Sequence, residues 1–411
     1  MSAIDDVLIV GAGPAGAVAA TVLARAGARV RVVDRARFPR DKLCGDTLNP
    51  GGLALLRKLQ LGGPLEGVGL DVAGMLVTGE GGVAVEGRYP HDLRGRSILR
   101  RDLDWALLGQ AIAAGARFDP GVTVREAVAV ERGGVWIVDG VAVGPLESAH
   151  RLRAPVTIAA DGRRSTLAFG LGLARHPPRP RRWAIGAYFE ASTEDRPRSP
   201  GTRAASATAH GILGEMHIRR GRYIGVALVP GGMTNVCMVK PSAGGDLALR
   251  NPESALRIEL EADPVLRDRF AGARLVRPPV VLGPLAVDLT GDSVDGLLLA
   301  GDAAGFIDPM TGDGLSFALR GGELAAAAAL RALEHGWAGV HAQLAADRHR
   351  AFAGKWRFNR ALRSLVGSPS AVRTAAAVAR IVPGAVRAII ARAGDCDLAD
   401  VAQRIVAAKQ C

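Results

Sequence analysis

Positions 7–10 form an unbroken apolar run, Val-Leu-Ile-Val, that stops at Gly11. A run this short, closed by a glycine, predicts a parallel strand buried on both faces. Alanine-rich positions 15–26 predict a helix, and the apolar run 30–33, ending on Asp34, predicts a second strand. Two later runs, 155–160 and 296–300, repeat this style and end in the turns Asp161-Gly162 and Gly301-Asp302. Between them the rhythm changes. Positions 184–190, 214–219, 223–229 and 234–239 predict antiparallel strands, interrupted by a helix over 252–262. Further helices are predicted over 53–59, over 105–114 with Asp102 as its cap, and over 315–333. Short strands are predicted within 62–89 and over 117–124 and 128–138, and the chain after 333 reads as helical, broken at 367–369 and at Pro383-Gly384.

The first thirty-odd residues make a strand, a glycine turn, a helix and a strand ending in an acid about twenty residues on, the dinucleotide-binding fingerprint. Gly11 makes the tight turn, Gly13 lets a pyrophosphate approach the backbone, and Gly16 lets helix and strand pack closely. Pro14 precedes the helix that starts by about Ala15, whose N-terminus carries partial positive charge toward phosphates. Asp34 accepts hydrogen bonds from a ribose diol, with Arg35 beside it. The fold class is accordingly α/β (α+β), with a Rossmann-like domain, an antiparallel β-sheet substrate domain and a helical C-terminal extension. Residues 1–62, 98–180 and 282–360 are assigned to the first domain, 63–97 and 181–281 to the second, and 361–411 to the extension. The proline- and arginine-rich stretch 175–182 marks a crossing.

Composition narrows the function. The 411 residues are too many for one small core. Aromatic content of 4% argues against a nucleic-acid stacking surface, and the net charge of +12 is scattered rather than gathered in a basic block. No nucleic-acid partner is expected; an anionic cofactor, an anionic substrate or a membrane surface suits the charge. The four cysteines, Cys44, Cys237, Cys396 and Cys411, show neither metal spacing nor a disulfide framework. That favours a cytoplasmic protein without a metal. The chain enters its first strand at once, leaving no room for a signal peptide, and its apolar windows fall short of a membrane span.

Ordered motifs then carry a resemblance. Gly11-x-Gly13-x-x-Gly16, Arg100 four residues before Asp104, Asp161-Gly162, and Gly301-Asp302 followed by Pro309-x-x-Gly312-x-Gly314 occur in sequence. Together they resemble the FAD-dependent aromatic-hydroxylase superfamily, the p-hydroxybenzoate hydroxylase-like fold shared with flavin halogenases and geranylgeranyl reductases. Lys42-Leu43-Cys44-Gly45-Asp46 and Gly305-Phe306-Ile307-Asp308-Pro309 are most similar to the geranylgeranyl-reductase-like branch. The resemblance implies an FAD/NAD(P)-binding domain with FAD as cofactor. It implies a ribityl contact for Asp302, and a contact to the adenosine end or pyrophosphate for Arg100. Asp161-Gly162 would serve both FAD and a transient NAD(P)H, and Val124 joins the FAD set. Pro309, Gly312, Asp313, Gly314 and Leu315 would bring a helix N-terminus to the ring, stabilising charge on reduced flavin. No second glycine fingerprint exists, so the reductant docks in a cleft or comes from another protein. Arg163 and Arg164 read as solvated surface.

Catalytic candidates are Cys44, beside the flavin in the resembling reductases, and Tyr223 and His217, with Tyr188 and His210, as acids or bases. Each taken singly also fits a packing role. The halogenase Trp-x-Trp-x-Ile-Pro motif is absent: 182–187 carries one tryptophan and no proline. The prenyl-reductase pattern Tyr-x-Trp-x-Phe-Pro survives only as Tyr223 and Pro230. The preferred reading is an NAD(P)H-dependent monooxygenase hydroxylating a small apolar or aromatic substrate through a flavin C4a-hydroperoxide. The alternatives are a reductase saturating C=C bonds of a prenyl substrate, and a non-catalytic flavin-binding or electron-transfer protein. Arg373, Arg380 and Arg387 recur at heptad spacing among apolar residues, which reads as a lid over the cofactor domain or, secondly, as a peripheral membrane surface. Monomer and dimer both stay open.

Overall fold

The computed structural model describes residues 5–145, 148–178, 181–190, 211–242, 246–307, 309–366 and 383–398, with scattered positions between 368 and 377. His210, Asp308 and Arg380 lie outside the described residues.

The early apolar runs form one parallel five-stranded sheet in the order Leu297–Leu299, Val156–Ala159, Val7–Val10, Val30–Asp34, Arg117–Pro120. Strand alternation splits its side chains between two cores. Val7, Ile9, Val30 and Val32 pack against the alanine-rich helices Pro14–Arg25 and Gly314–His335. Leu8, Val10 and Val33 pack against a small antiparallel sheet of Val124–Arg132, Val135–Val143 and His150–Arg153. The predicted strand over 128–138 therefore runs through a hairpin turn. Gly133 and Gly134, at φ 58 and 81, reverse the chain there.

A second, ten-stranded sheet carries Arg182–Glu190, Met233–Pro241, Arg222–Val229 and Ile212–Arg219 as antiparallel neighbours. It is not wholly antiparallel: Ile212–Arg219 pairs in parallel with Leu70–Thr78, and the sheet extends through Gly95–Ser97 to Thr47–Leu48. Ile185, Ala187 and Phe189 face one side, under the helices Pro252–Ala262 and Arg267–Phe270, with Phe189 edge-on to Phe270 at 5.2 Å. Ala184, Tyr223 and Val239 face the other side, toward Met310.

The helix predicted over 105–114 begins earlier, at Arg100–Ala113. Its N-cap is Leu99, and Asp102 sits inside the first turn, where its charge still complements the helix dipole. At the C-terminal end, Val340–Val366 packs along Gly314–His335. The helix Pro383–Ala393 buries Ile390 against Val72, Tyr89, Leu93 and Ile212. It thus covers the sheet carrying Leu70–Thr78. Its C-terminal end also meets the cofactor domain, where Gly51 N donates to the Gly394 carbonyl at 3.0 Å and Lys355 to the Arg392 carbonyl at 2.7 Å. Arg373 and Arg387 are exposed.

Candidate active site

A single cavity of about 990 Å³ runs from the carboxyl ends of the parallel strands across the open face of the large sheet. That places it at the top of the ~300–1,000 Å³ range of ligand pockets. One end is the glycine turn. Gly11 adopts φ +101, and a Cβ there would lie 2.5 Å from the Ala160 carbonyl oxygen, so only glycine fits. Gly13, Pro14 and Ala15 line the cavity, with Asp34, Arg35 and Val124 further along the wall. Gly16 does not line it; a side chain there would collide with the Gly11 carbonyl, so it serves packing. The Asp34 carboxylate is aimed by two backbone donors, Ala12 N at 2.9 Å and Ala36 N at 2.8 Å.

Midway, charged groups close in without partners. Asp302 and Lys42 make no side-chain hydrogen bond among the described residues, and Arg163 Nη1 is buried unpaired. Burial pushes the Asp302 carboxyl up, while Lys42, Arg100 and Arg163 pull it back. Lys42 is exposed where it opens onto the cavity. Desolvation of its amine by the cavity walls and then the Arg100 charge hold it below the usual lysine range, against Asp302. Asp161 and Gly162 line the same stretch, and Thr166 N donates to Asp161 Oδ2 at 2.8 Å.

Arg100 lines the cavity beside the Cys44 turn, with its Nε and Nη2 gripping Asp104 through two 2.8 Å bonds and Cys44 within hydrogen-bond reach. The guanidinium over the Gly13 turn belongs to Arg40, which also pairs with Asp104 at 3.1 Å. Arg40 carries no motif, and nothing in its loop distinguished it in sequence.

The loop 42–46 is pressed onto the sheet. Leu43 packs on Gly186, where any side chain would collide with it. Asn235 Nδ2 donates to the Cys44 carbonyl at 2.6 Å, and Cys44 and Gly45 face the cavity. Asp46 is fully buried, and its carboxyl is pushed up to about 6 by burial, with Tyr188 and Asn235 opposing. Opposite this loop, the turn Pro309–Thr311 leads to Gly312, Gly314 and Leu315 at the cavity and into Gly314–His335. Asp313 does not point in with them. It is buried behind the turn, bonded to Lys355 at 3.0 Å and to Asn49 and Asn359 at 3.2 Å each. Burial pushes its carboxyl up to about 6, against the pull of Lys355.

Of the catalytic candidates on the sheet, Tyr223 lines the cavity, packed beside Ala184, Leu285 and Met310. His217 does not. Met216 and Ile218 join the cavity-side cluster, so alternation turns His217 to the opposite side. There Nδ1 meets the Thr78 hydroxyl at 2.8 Å and Nε2 meets Glu215 at 3.0 Å, fully buried. Glu215 is anchored in turn by Arg269 at 2.7 Å. The rest of the cavity wall is largely apolar, with Val72, Met75, Val85, Leu282, Leu362 and Ile390 among its residues. Among the described residues no cluster suits a metal ion, and no helix is long and apolar enough to cross a membrane.

The site fits FAD on its own geometry: two helix N-termini open onto one long cavity, with unpartnered charges midway and an aimed acid at one end. Fold and site define an FAD-dependent oxidoreductase. Residues 5–202 match the family model described as FAD binding domain. The menaquinone reductase of Mycobacterium tuberculosis is 32% identical over 342 residues, covering 78% of this chain and 75% of that protein. Digeranylgeranylglycerophospholipid reductase 2 of Methanopyrus kandleri is 28% identical over 337 residues, covering 80% and 78%. The structure of a flavin-dependent brominase superposes with a TM-score of 0.77 at 19% identity, covering 99% of each chain, which shows a shared fold. The chain belongs to the FAD-binding oxidoreductase family of the menaquinone and geranylgeranyl reductases.

Proposed function

We propose that this protein is an FAD-dependent reductase that saturates C=C bonds in a long, apolar, isoprenoid-like substrate. The observation that carries the reading is the cavity itself. Beyond the stretch between Cys44-Gly45 and Gly312-Gly314 it continues along an apolar wall that includes Val72, Met75, Val85, Leu282, Leu362 and Ile390. The relatives named above support it, since both names denote reductases of polyprenyl-bearing lipids. Hydroxylation, favoured by the lost tryptophan of the prenyl-reductase pattern, becomes the second reading.

Bound FAD would supply hydride, replenished from transient NAD(P)H or a protein donor. The chain's own residues do the rest. Gly11 to Ala15 and the first helix N-terminus would receive the pyrophosphate, Asp34 a ribose diol and Asp302 a ribityl hydroxyl. The amides opening Gly314–His335 would favour negative charge on the reduced ring. Met75, Val85, Leu282 and Ile390 exclude water and hold the alkene by contact area rather than by polar bonds. Val280, Leu365 and Ile389 are exposed and also line the cavity, an apolar rim through which a lipid surface would deliver substrate.

The test is anaerobic. Pre-reduced holoenzyme mixed with geranylgeranyl diphosphate or menaquinone is expected to reoxidise without oxygen and to yield product with two hydrogens added across a C=C bond of the isoprenoid chain, a gain that persists when any quinol formed is reoxidised. Reoxidation that demands oxygen and leaves an oxygen atom in the product would establish hydroxylation instead.

A further inference from the structure

Reduction of a C=C bond needs a proton as well as a hydride, and the proton must reach an apolar compartment. One place on the cavity wall is built to hold it. Tyr188 and Asn235 face each other directly across adjacent strands and share a target. The Tyr188 hydroxyl donates to Asp46 Oδ2 at 2.6 Å, and Asn235 Nδ2 donates to the same oxygen at 2.5 Å. The Arg100 amide donates to Asp46 Oδ1 at 3.2 Å. Asp46 is fully buried and adopts φ 50, a left-handed conformation that a non-glycine residue keeps only when its surroundings enforce it. Tyr188 is half-buried and lines the cavity beside the Cys44 loop. Pinning that loop does not need the carboxyl, since Leu43 on Gly186 and Asn235 on the Cys44 carbonyl already hold it.

We propose that Tyr188 is the proton donor of the reduction and that Asp46 is the proton store behind it. The inference rests on the reductase reading. Hydride from the reduced flavin forms one C–H bond as the π bond breaks. The Tyr188 phenolic proton forms the second C–H bond at the neighbouring carbon. With the carboxyl neutral the hydrogen on the 2.6 Å bond is reversed: Asp46 Oδ2 donates to the Tyr188 oxygen, and the phenolic hydrogen is free to point at the alkene. As Tyr188 gives up that proton it takes the one from Asp46, and the buried carboxylate is reprotonated through Tyr188 from the cavity. Burial and the adjoining Asp46 hold the phenol well above its ordinary range, so it releases a proton only as it receives one. The Asp46 carboxyl, at about 6, is partly neutral near physiological pH. The ionisable groups facing the pair are Arg100 from its helix, Cys44 and Asp41 from the loop and Cys237 from the sheet. Cys237 is itself pushed up to about 12 by burial and stays a neutral thiol.

The experiment compares wild type, Tyr188→Phe and Asp46→Asn as holoenzymes. Single-turnover reduction by pre-reduced enzyme is expected to fall in Tyr188→Phe by about 10²–10⁴-fold, the usual worth of a positioned general acid. The wild-type rate should decline as pH rises through about 6, a dependence that Asp46→Asn abolishes. Without substrate, infrared titration of the carboxyl C=O band should find a group titrating near pH 6 that is missing in Asp46→Asn and moved in Tyr188→Phe. An active wild type whose Tyr188→Phe variant keeps its rate overturns the proposal. So does an Asp46 that titrates in the ordinary carboxylate range, a measurement that needs no variant activity. A wild type that transfers hydrogen to no double bond overturns the reductase reading itself, a distinguishable result.

Discussion

Lys355→Met tests how the C-terminal helix is tied to the flavin turn. The Lys355 ammonium is buried and reaches the Arg392 carbonyl at 2.7 Å, the Ala393 carbonyl at 2.8 Å, Asp395 Oδ1 at 2.9 Å and Asp313 Oδ1 at 3.0 Å. It therefore satisfies the last carbonyls of Pro383–Ala393 and neutralises the acid next to Gly314 at once. Removing one partner of a buried ion pair costs about 3–5 kcal/mol. Asp313, at about 6, moderates that loss by taking up a proton at low pH. The sign follows. Asp313 is raised from 3.8, so its contribution to stability is present at low pH and fades as pH rises through about 6. Without the cation this loss deepens. The gap between wild type and Lys355→Met is therefore expected to be about 3 kcal/mol or more at pH 8 and smaller at pH 5. Urea unfolding followed by tryptophan fluorescence measures it, since Trp337 and Trp356 pack on the core beside these helices. The variant is also expected to retain less FAD by absorbance. A gap under about 1 kcal/mol at pH 8, or one that shrinks with rising pH, would refute the reasoning.

Gly11→Ala places a Cβ 2.5 Å from the Ala160 carbonyl oxygen at φ +101. It should yield folded but colourless protein, checked by circular dichroism and flavin absorbance; a normally coloured product would contradict the cradle assigned to this turn. His217→Leu removes two buried hydrogen bonds on the far side of the sheet and should cost about 1–3 kcal/mol of stability. Turnover per bound FAD should stay unchanged, and a large kinetic loss would show that this histidine communicates with the cavity.

The fold was legible wherever local pattern decides it. The helix predicted over 252–262 is Pro252–Ala262, and the four sheet strands from 184 to 239 occur within two residues of their expected bounds at every end. What escaped depends on partners distant in sequence. The parallel pairing of Ile212–Arg219 with Leu70–Thr78 joins segments over a hundred positions apart, and no periodicity encodes it. The hairpin at Gly133-Gly134 did have a local signal, since Glu131-Arg132-Gly133-Gly134 interrupts the valine-rich flanks, and a strand drawn over 128–138 runs across it.

The site divides in the same way. Backbone-determined positions such as Gly11, Gly13, Gly312 and Gly314 could be read from sequence because their lack of a side chain is the signal. Side-chain roles could not, since charge alone does not say where a group is already engaged. Arg100 and Asp104 stand one helical turn apart in sequence, but only the structure shows Asp104 holding Nε and Nη2 while Arg100 still lines the cavity. Asp46 looks like the polar end of a loop motif until Tyr188 and Asn235 converge on it from adjacent strands. A one-residue change of register would turn Tyr188 to the helix-covered side, where Phe189 now packs, and would leave the buried carboxyl without its phenol. The acid chemistry of this cavity is therefore a property of strand pairing, so variants that disturb the Arg182–Glu190 register should lose proton delivery while the glycine turns still bind flavin.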